Sequence, residues 1–408
     1  MAGLGERELL CVAPDRVVPP RNGSAARTVG MARLATRCFA RVSIRAFATG
    51  EVPPTSLDGV QIRHLPRPVG GVARARYLAE ALTTAWLGVR FDQTLDVAAL
   101  VQLESPLLFE GARRAGLRRF VLNAHNVYQD MTRFPQASLV DRAFARITRR
   151  RQTEMELACW DAAEHVVFCS AEDRARAGEL MPRVAAKSSV VPNCIDVRAF
   201  EPRAAAAYAA PGPVVFIGTT RYPPNFFAVD EICRTIAPAC PGIEFWIVGD
   251  PVFAPRRVPA NVRILGLVPS TAVPLAAARM AIAPLRHGSG SRLKILEYLA
   301  AGVPVVATRK AVEGLELEDG REVRLAESPA ETIDAVRSLD GDTTARASLG
   351  VMGRRLVERR YDWALWAEAL GAIYRQVAAG EPCRSDGPAA TRVPASPAIA
   401  AGPILPRT

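Results

Sequence analysis

The stretch His287-Gly288-Ser289-Gly290-Ser291-Arg292-Leu293-Lys294-Ile295-Leu296-Glu297 holds two glycines, two serines, two cations and a carboxylate within a short segment. Glycines let a ligand approach the backbone, and a helix start offers unpaired N–H groups and partial positive charge, which suit a phosphate. Gly288, Ser289, Gly290 and Ser291 form the loop, with Ser291 as the expected N-cap. Arg286, Arg292 and Lys294 supply cations, and Leu293 lies in the first turn of the helix. Glu297, further along, presents a carboxylate that can accept hydrogen bonds from sugar hydroxyls. Together these residues point to a nucleotide-diphosphate site.

A second candidate is His125, at the carboxyl end of the apolar run Phe120–Ala124. Ligands of open parallel sheets sit outside the carboxyl ends of strands, so an imidazole there is placed for chemistry. The competing reading is a histidine that merely caps a strand end.

These residues need strands and helices to hold them. Ala281–Leu285 reads as a buried strand feeding the loop, and Arg292 to Ala301 as a helix with Leu293, Leu296 and Leu299 on one stripe. Near the start, Glu8–Ala13 reads as a strand, then a Pro/Gly loop, then a helix from about Ala25 to Thr36 with Ser24 as a candidate N-cap, then a strand over Arg41–Ala48. Helical patterns follow over 73–87, Leu107–Ala115 and Asp141–Asp161, and strands over 96–103 and Val166–Ser170. The Ala- and Pro-rich segment Glu201–Pro213 reads as a linker. A second alternation of strand and helix begins at Val214-Val215-Phe216-Ile217-Gly218. The fold class is α/β, with two Rossmann-like domains in tandem. The last helix, Trp363–Val377, is amphipathic, with Trp363, Trp366, Leu370 and Tyr374 on one stripe. The tail from 381 lacks periodicity and is expected to be disordered.

Composition narrows the function further. A chain of 408 residues is long enough for two domains, and no apolar run reaches the length of a membrane span. The formal charge of +11 comes almost wholly from arginine, since the lysines are Lys187, Lys294 and Lys310 alone. Such a balance favours anionic partners. No zinc-ligand, RNP or basic-zipper pattern is present, which argues against nucleic acid. The run Arg149-Arg150-Arg151 reads as a solvated face, with an anionic membrane as the alternative partner. Eight cysteines without C-x-x-C spacing fit a reduced, cytoplasmic protein, with peripheral contact at the inner membrane face as an alternative. No G-x-G-x-x-G follows the first strand, which argues against a nicotinamide cofactor. No compact Asp/His cluster calls for a metal.

The chain resembles the GT-B glycosyltransferases, and its motifs resemble glycosyltransferase family 4, the retaining group 1 enzymes. The resemblance rests on Phe216-Ile217-Gly218 with Tyr222-Pro223-Pro224-Asn225, Ile247-Val248-Gly249, Ala283-Pro284-Leu285, Gly288-Ser289-Gly290, Lys294-Ile295-Leu296-Glu297, Gly302–Thr308 and Glu313-Gly314-Leu315. In the first half His125-Asn126, Ser170-Ala171-Glu172 and Val191-Pro192-Asn193 with Asp196 also match. It implies an acceptor domain over 1–198, a donor domain over 199–361, and a helix over 362–380 that packs back on the first domain across a cleft. It also implies a nucleotide sugar as co-substrate with no further cofactor or metal, and a glycan, lipid-linked or small-molecule acceptor. Carried over, Glu297 meets the ribose. Arg292, Lys294 and the N–H groups from Ser291 to Leu293 hold the diphosphate, with Arg221 as a further cation. Gly266 and its neighbours meet the base, Gly23 faces the donor diphosphate or the acceptor across the cleft, and His125 lies near the sugar. Ser289 stands eight residues before Glu297, where family members often carry a glutamate. A nucleotide-sugar epimerase of the same fold and a silent nucleotide-sugar-binding homologue are the alternatives.

Overall fold

Short apolar runs that are hydrophobic on both faces need helices on both sides, and this chain answers with two parallel sheets. The computed structural model describes residues 4, 7–20, 22–48, 52–66, 100–130, 139–252, 255, 257–288 and 292–380. The first sheet contains β1 (Glu8–Ala13), β2 (Arg41–Ala48), β3 (Thr55–Leu57), β4 (Val60–Pro66), β5 (Leu100–Leu103), β6 (Phe120–Ala124), β7 (His165–Phe168) and β8 (Ser188–Val190). Its order is β3-β4-β2-β1-β5-β6-β7-β8, parallel except for the β3–β4 hairpin, which the sequence reading passed over. The second contains β9 (Val214–Ile217), β10 (Phe245–Val248), β11 (Val262–Gly266), β12 (Met280–Ala283), β13 (Val305–Ala307) and β14 (Arg324–Leu325), in the order β11-β10-β9-β12-β13-β14. That is the doubly wound order of a Rossmann sheet, whose strand order reverses between β9 and β12, as it does between β1 and β5 in the first sheet. The expected α/β fold with two Rossmann-like sheets is what forms.

Alternation along β1 divides the first domain's core. Leu9 and Cys11 pack with the first helix (Gly23–Ala35) on one face, and Leu10 and Val12 with Trp160 of the Leu139–Ala162 helix on the other. The C-terminal stripe finds its partner here: Trp366, Leu370, Ile373 and Tyr374 are buried in the first of these clusters. Each such side chain contributes about 1.5–3 kcal/mol by leaving water. Packing is tight enough that a Cβ added at Gly30 would lie 2.3 Å from the Trp363 ring. Ile195 and Asp362 form a bridge where the chain crosses back, with Ile195 N–H donating to the Tyr361 carbonyl at 2.8 Å.

Several expectations are adjusted. Asn22, not Ser24, caps the first helix, its side chain accepting from the Ala25 N–H at 2.9 Å, so Gly23 is the first helical residue. The strand expected over 96–103 is described as Leu100–Leu103, and Leu107–Ala115 divides into a 3-10 turn at Pro106–Leu108 and a helix at Phe109–Arg114. Glu201–Pro213 is not a loose linker: Tyr208 is buried, donates to the Gly302 carbonyl at 3.0 Å, and its own carbonyl receives the Arg346 guanidinium. Helices Pro329–Gly341 and Thr343–Arg360, which the motifs did not announce, cover the second sheet and connect it to the returning helix. The final segment begins as a 3-10 turn, Trp363–Trp366, before the helix Ala367–Ala379. The helical pattern over 73–87 and the tail from 381 lie outside the described residues. Among the described residues no helix is long and apolar enough to cross a membrane.

Candidate active site

In the second domain the loops after β9 and β12 meet at the point where strand order reverses. The helix that opens the phosphate segment runs Leu293–Ala300, with Arg292 in the N-cap position and no cap bond from its side chain. Ser289, Gly290 and Ser291 lie outside the described residues, so the cap expected of Ser291 is not placed. Arg292 is buried, and its guanidinium reaches back to the His287 carbonyl at 3.5 Å. Gly288 has φ +112°, and a Cβ there would lie 2.6 Å from the Tyr222 hydroxyl and 2.7 Å from the Arg292 guanidinium. Only glycine fits that turn without moving Arg292.

Lys294 points under the end of β9. Its ammonium donates to Asn225 Oδ1 at 2.6 Å and lies 4.2 Å from the Phe216 ring centroid. Asn225 is fixed in turn by donating to the Thr219 carbonyl at 2.9 Å. Gly218 leaves the room for this arrangement, because a Cβ there would lie 2.7 Å from both the Lys294 ammonium and the Asn225 amide. Burial, with the Arg292 charge beside it, lowers the Lys294 pKa to about 7 against the pull of Glu297. One turn on, Glu297 accepts from the Thr271 hydroxyl at 3.0 Å. Burial raises its pKa to about 7 despite the Thr271 bond and the Lys294 charge. β11 ends at Gly266, at φ +70° with open space where a Cβ would stand, and half-exposed Leu267 follows it.

Two cations take other positions. Arg221 is exposed on the loop after β9. Arg286 leaves the site altogether: it forms a two-pronged pair with Glu231, at 2.9 and 2.8 Å, and reaches the Glu327 carbonyl. The basic run is likewise engaged, Arg149 with the Gln129 carbonyl and Arg150 with Glu154.

The first domain contributes the facing wall. Gly23 begins the first helix directly opposite Leu293; a Cβ at Gly23 would lie 3.4 Å from the Leu293 methyl, so two helix starts meet across the cleft. Behind them a pocket of about 200 Å³ is lined by Asp15, Asn22, Ser24, Thr28, Glu104 and His125 among others. His125 is not a bare strand-end histidine. Its Nε2 lies 3.0 Å from Glu104 Oε2. Glu104, buried at 3 % exposure, also accepts from Thr28 Oγ1 at 2.9 Å, Asn123 Nδ2 at 2.7 Å and Gln102 Nε2 at 2.6 Å. Burial pushes its pKa up, but the His125 bond and charge, with the amide donors, more than offset this and hold it below the ordinary glutamate value. Glu104 is therefore an anion set behind an imidazole, a pairing that orients the ring and supports positive charge on it.

Glu104, Thr28 and Asn123 had no place in the sequence reading, although a carboxylate at the carboxyl end of a buried strand was a usable signal for Glu104. Asn225 and Gly218 appeared there only as motif letters. His165, bonded to Ser189 at 2.9 Å, and His287, edge-on to Phe227, have structural positions. Among the described residues, no three His, Cys, Asp or Glu side chains converge to hold a metal ion.

Comparison with known proteins follows this geometry. Residues 212–342 match the family described as glycosyl transferases group 1. Among solved structures, sucrose-phosphate synthase from Thermosynechococcus elongatus is similar, with a TM-score of 0.65 at 17% identity over 92% of this chain and 100% of that one. Anabaena HepE in complex with UDP-glucose gives a TM-score of 0.58 at 15% identity, over 91% and 98% of the two chains. Trehalose 6-phosphate synthase from Burkholderia multivorans gives 0.60 at 14% identity, over 92% and 99%. The comparison with curated proteins finds no match. At these identities the structures establish the fold, and the stretch matched by the family includes Lys294 and Glu297. The chain has the fold of these GT-B structures, and residues 212–342, within its second domain, match the group 1 glycosyl transferase family.

Proposed function

We propose that this protein transfers a sugar from a nucleotide-diphosphate donor to the hydroxyl of a glycan, lipid-linked or small-molecule acceptor, with retention at the anomeric carbon. The observation that carries the reading is the seat of Lys294: an ammonium fixed by Asn225 in a space cleared by Gly218, at a helix start where the sheet order reverses. A departing diphosphate gathers negative charge as the C1–O bond breaks, and cations already in place stabilise it without reorganising. Lys294, Arg292 and the N–H groups at the start of the Leu293 helix supply that charge, with Arg221 at the rim, and they serve in place of a metal ion. Glu297, held by Thr271, meets the ribose, and the base lies along Gly266 and Leu267.

Retention follows if the acceptor oxygen approaches C1 on the face the diphosphate leaves. The acceptor proton then passes to the departing phosphate oxygen, and no protein nucleophile is consumed. His125, held in place by Glu104, faces the donor sugar. The pocket between Asp15 and His125 takes the acceptor.

The test is a thermal-shift screen against UDP-, GDP- and ADP-sugars, followed by transfer assays with the donor that binds. UDP-sugars come first because the similar HepE structure contains UDP-glucose. A ligand that binds only the folded state raises Tm. Donor hydrolysis without acceptor, lost in Lys294→Ala, supports the transferase. Binding without hydrolysis or transfer identifies a silent binder, and interconversion of UDP-sugars without transfer identifies an epimerase.

A further inference from the structure

We propose that Tyr374, on the helix returning from the second domain, is a positioning residue for His125, acting through Gln102 and Glu104. The inference rests on the reading of His125 as the first-domain group that faces the donor sugar. Tyr374 Oη donates to Gln102 Oε1 at 2.7 Å, Gln102 Nε2 donates to Glu104 Oε1 at 2.6 Å, and Glu104 Oε2 meets His125 Nε2 at 3.0 Å. Tyr374 and Gln102 are wholly buried and Glu104 nearly so, and no water is needed to complete the line.

The orientation of each group is forced by chemistry. An ionised carboxylate only accepts, so Gln102 must turn its NH2 toward Glu104. Its carbonyl then faces Tyr374, whose phenol is the donor that satisfies it. The phenol remains a donor through neutral pH, because burial, with the nearby Cys11 and Glu104, raises its pKa well above the ordinary value. A second line reaches the other carboxylate oxygen: Arg27 Nε donates to Asn123 Oδ1 at 2.9 Å, and Asn123 Nδ2 to Glu104 Oε2 at 2.7 Å. Thr28 donates to the same oxygen at 2.9 Å. Each amide is thus locked by a donor on its own oxygen. One of the two locks, Arg27, belongs to the first domain's own helix, as does Thr28, whereas the other, Tyr374, belongs to the segment that follows the second domain.

The other ionisable groups that act on this cluster are Cys11 on β1, Arg27 on the first helix and Cys38 just after that helix. Burial and Glu104 push the Cys11 thiol well up, so it stays neutral. His125 is therefore the group free to report a change at Glu104. Without the Tyr374 hydroxyl, Gln102 loses what fixes its amide, and Glu104 loses part of a donor. More negative charge then remains opposite the imidazole, which favours the imidazolium.

Tyr374→Phe in the full-length protein tests this with two readouts. Titration of the His125 ring by NMR, its signal identified by its loss in His125→Ala, is expected to move upward by a few tenths of a pH unit. In transfer assays kcat is expected to fall about fivefold with donor KM unchanged, the scale of one lost hydrogen bond expressed in the transition state. Gln102→Leu, which removes the intermediary, is expected to move both readouts in the same direction. In the His125→Ala background, Tyr374→Phe is expected to have no further effect on kcat. An unmoved His125 titration in both variants overturns the positioning role, as does an equal loss of kcat with and without His125. If His125→Ala leaves kcat unaltered, the reading of His125 fails instead, and the NMR titration still decides whether Tyr374 positions the ring.

Discussion

The two walls of the cleft are built by opposite means. In the second domain the site is made by what is missing: glycines at 218 and 288 clear the space in which Lys294 and Arg292 sit. Charge there is nearly bare, with a single amide on the ammonium and a single hydroxyl on Glu297, and both pKa values are moved to about 7. In the first domain the site is made by what is present. Four donors hold Glu104, and the anion is stabilised below its ordinary pKa before any ligand arrives. The difference teaches which wall depends on its ligand. A strained, under-partnered cation gains most when a diphosphate binds, and a saturated carboxylate gains nothing from binding and serves only to aim its histidine.

Breaking the second wall therefore has the largest effect. Lys294→Ala is expected to lower kcat/KM by about 10²–10³-fold, the usual result of removing one charge that stabilises a leaving group. The same lysine sets a pH dependence. Its folded pKa is lowered to about 7, so below that pH it is already charged and donor affinity is flat. Above it, binding must take up a proton, and affinity falls with rising pH by up to about tenfold per unit. Lys294→Arg, charged throughout, is expected to remove this fall; calorimetry at pH 6 to 9 measures it, and a fall that persists in the arginine variant would remove Lys294 from the diphosphate site.

On the first wall, His125→Ala is expected to lower kcat by about 10²-fold, within the range for a group acting on the transition state, with little change in donor affinity. Equal losses in both would make His125 a binding residue and erase the contrast between the walls.

That contrast also governs how much was legible in the sequence. The phosphate segment could be read because its residues are consecutive: a strand, a glycine loop and a cationic helix start follow one another from Ala281 to Glu297. The alternation of apolar runs likewise announced both sheets. The position of Glu104 at a strand end was legible but its network was not, because Thr28, Asn123 and His125 come from a helix and a strand far from it in the chain, and only folding brings them together. Arg286 misled for the same reason. Its position in the loop looked like a third phosphate cation, and its long side chain turns instead to Glu231. Asn22 against Ser24 was a contest between two good caps two residues apart, which sequence alone does not decide.

Smaller changes sharpen the account of the second wall. Gly218→Ala places a methyl 2.7 Å from the Lys294 ammonium and the Asn225 amide. Overpacking of this kind costs about 1–3 kcal/mol, here expected mainly as weakened donor binding, since Lys294 has the longest and most mobile side chain to give way. Wild-type donor affinity in this variant would show that Lys294 has another seat. Glu297→Ala is expected to weaken nucleotide binding by about 1–3 kcal/mol, and unchanged affinity by calorimetry would count against the ribose contact.

The smallest expected effect concerns the two helix starts that face each other at Gly23 and Leu293. The first is closed by a side chain, since Asn22 caps it through the Ala25 N–H. The second begins at Arg292, whose side chain makes no cap bond, while Ser289 to Ser291 before it lie outside the described residues. A capped start is committed to the fold. Asn22→Ala is accordingly expected to cost about 1 kcal/mol of stability, read as a lower Tm, while donor affinity stays as in the wild type. A loss of donor affinity as large as the loss of stability would mean that the first helix start also holds the diphosphate, and that the donor is gripped from both walls rather than one.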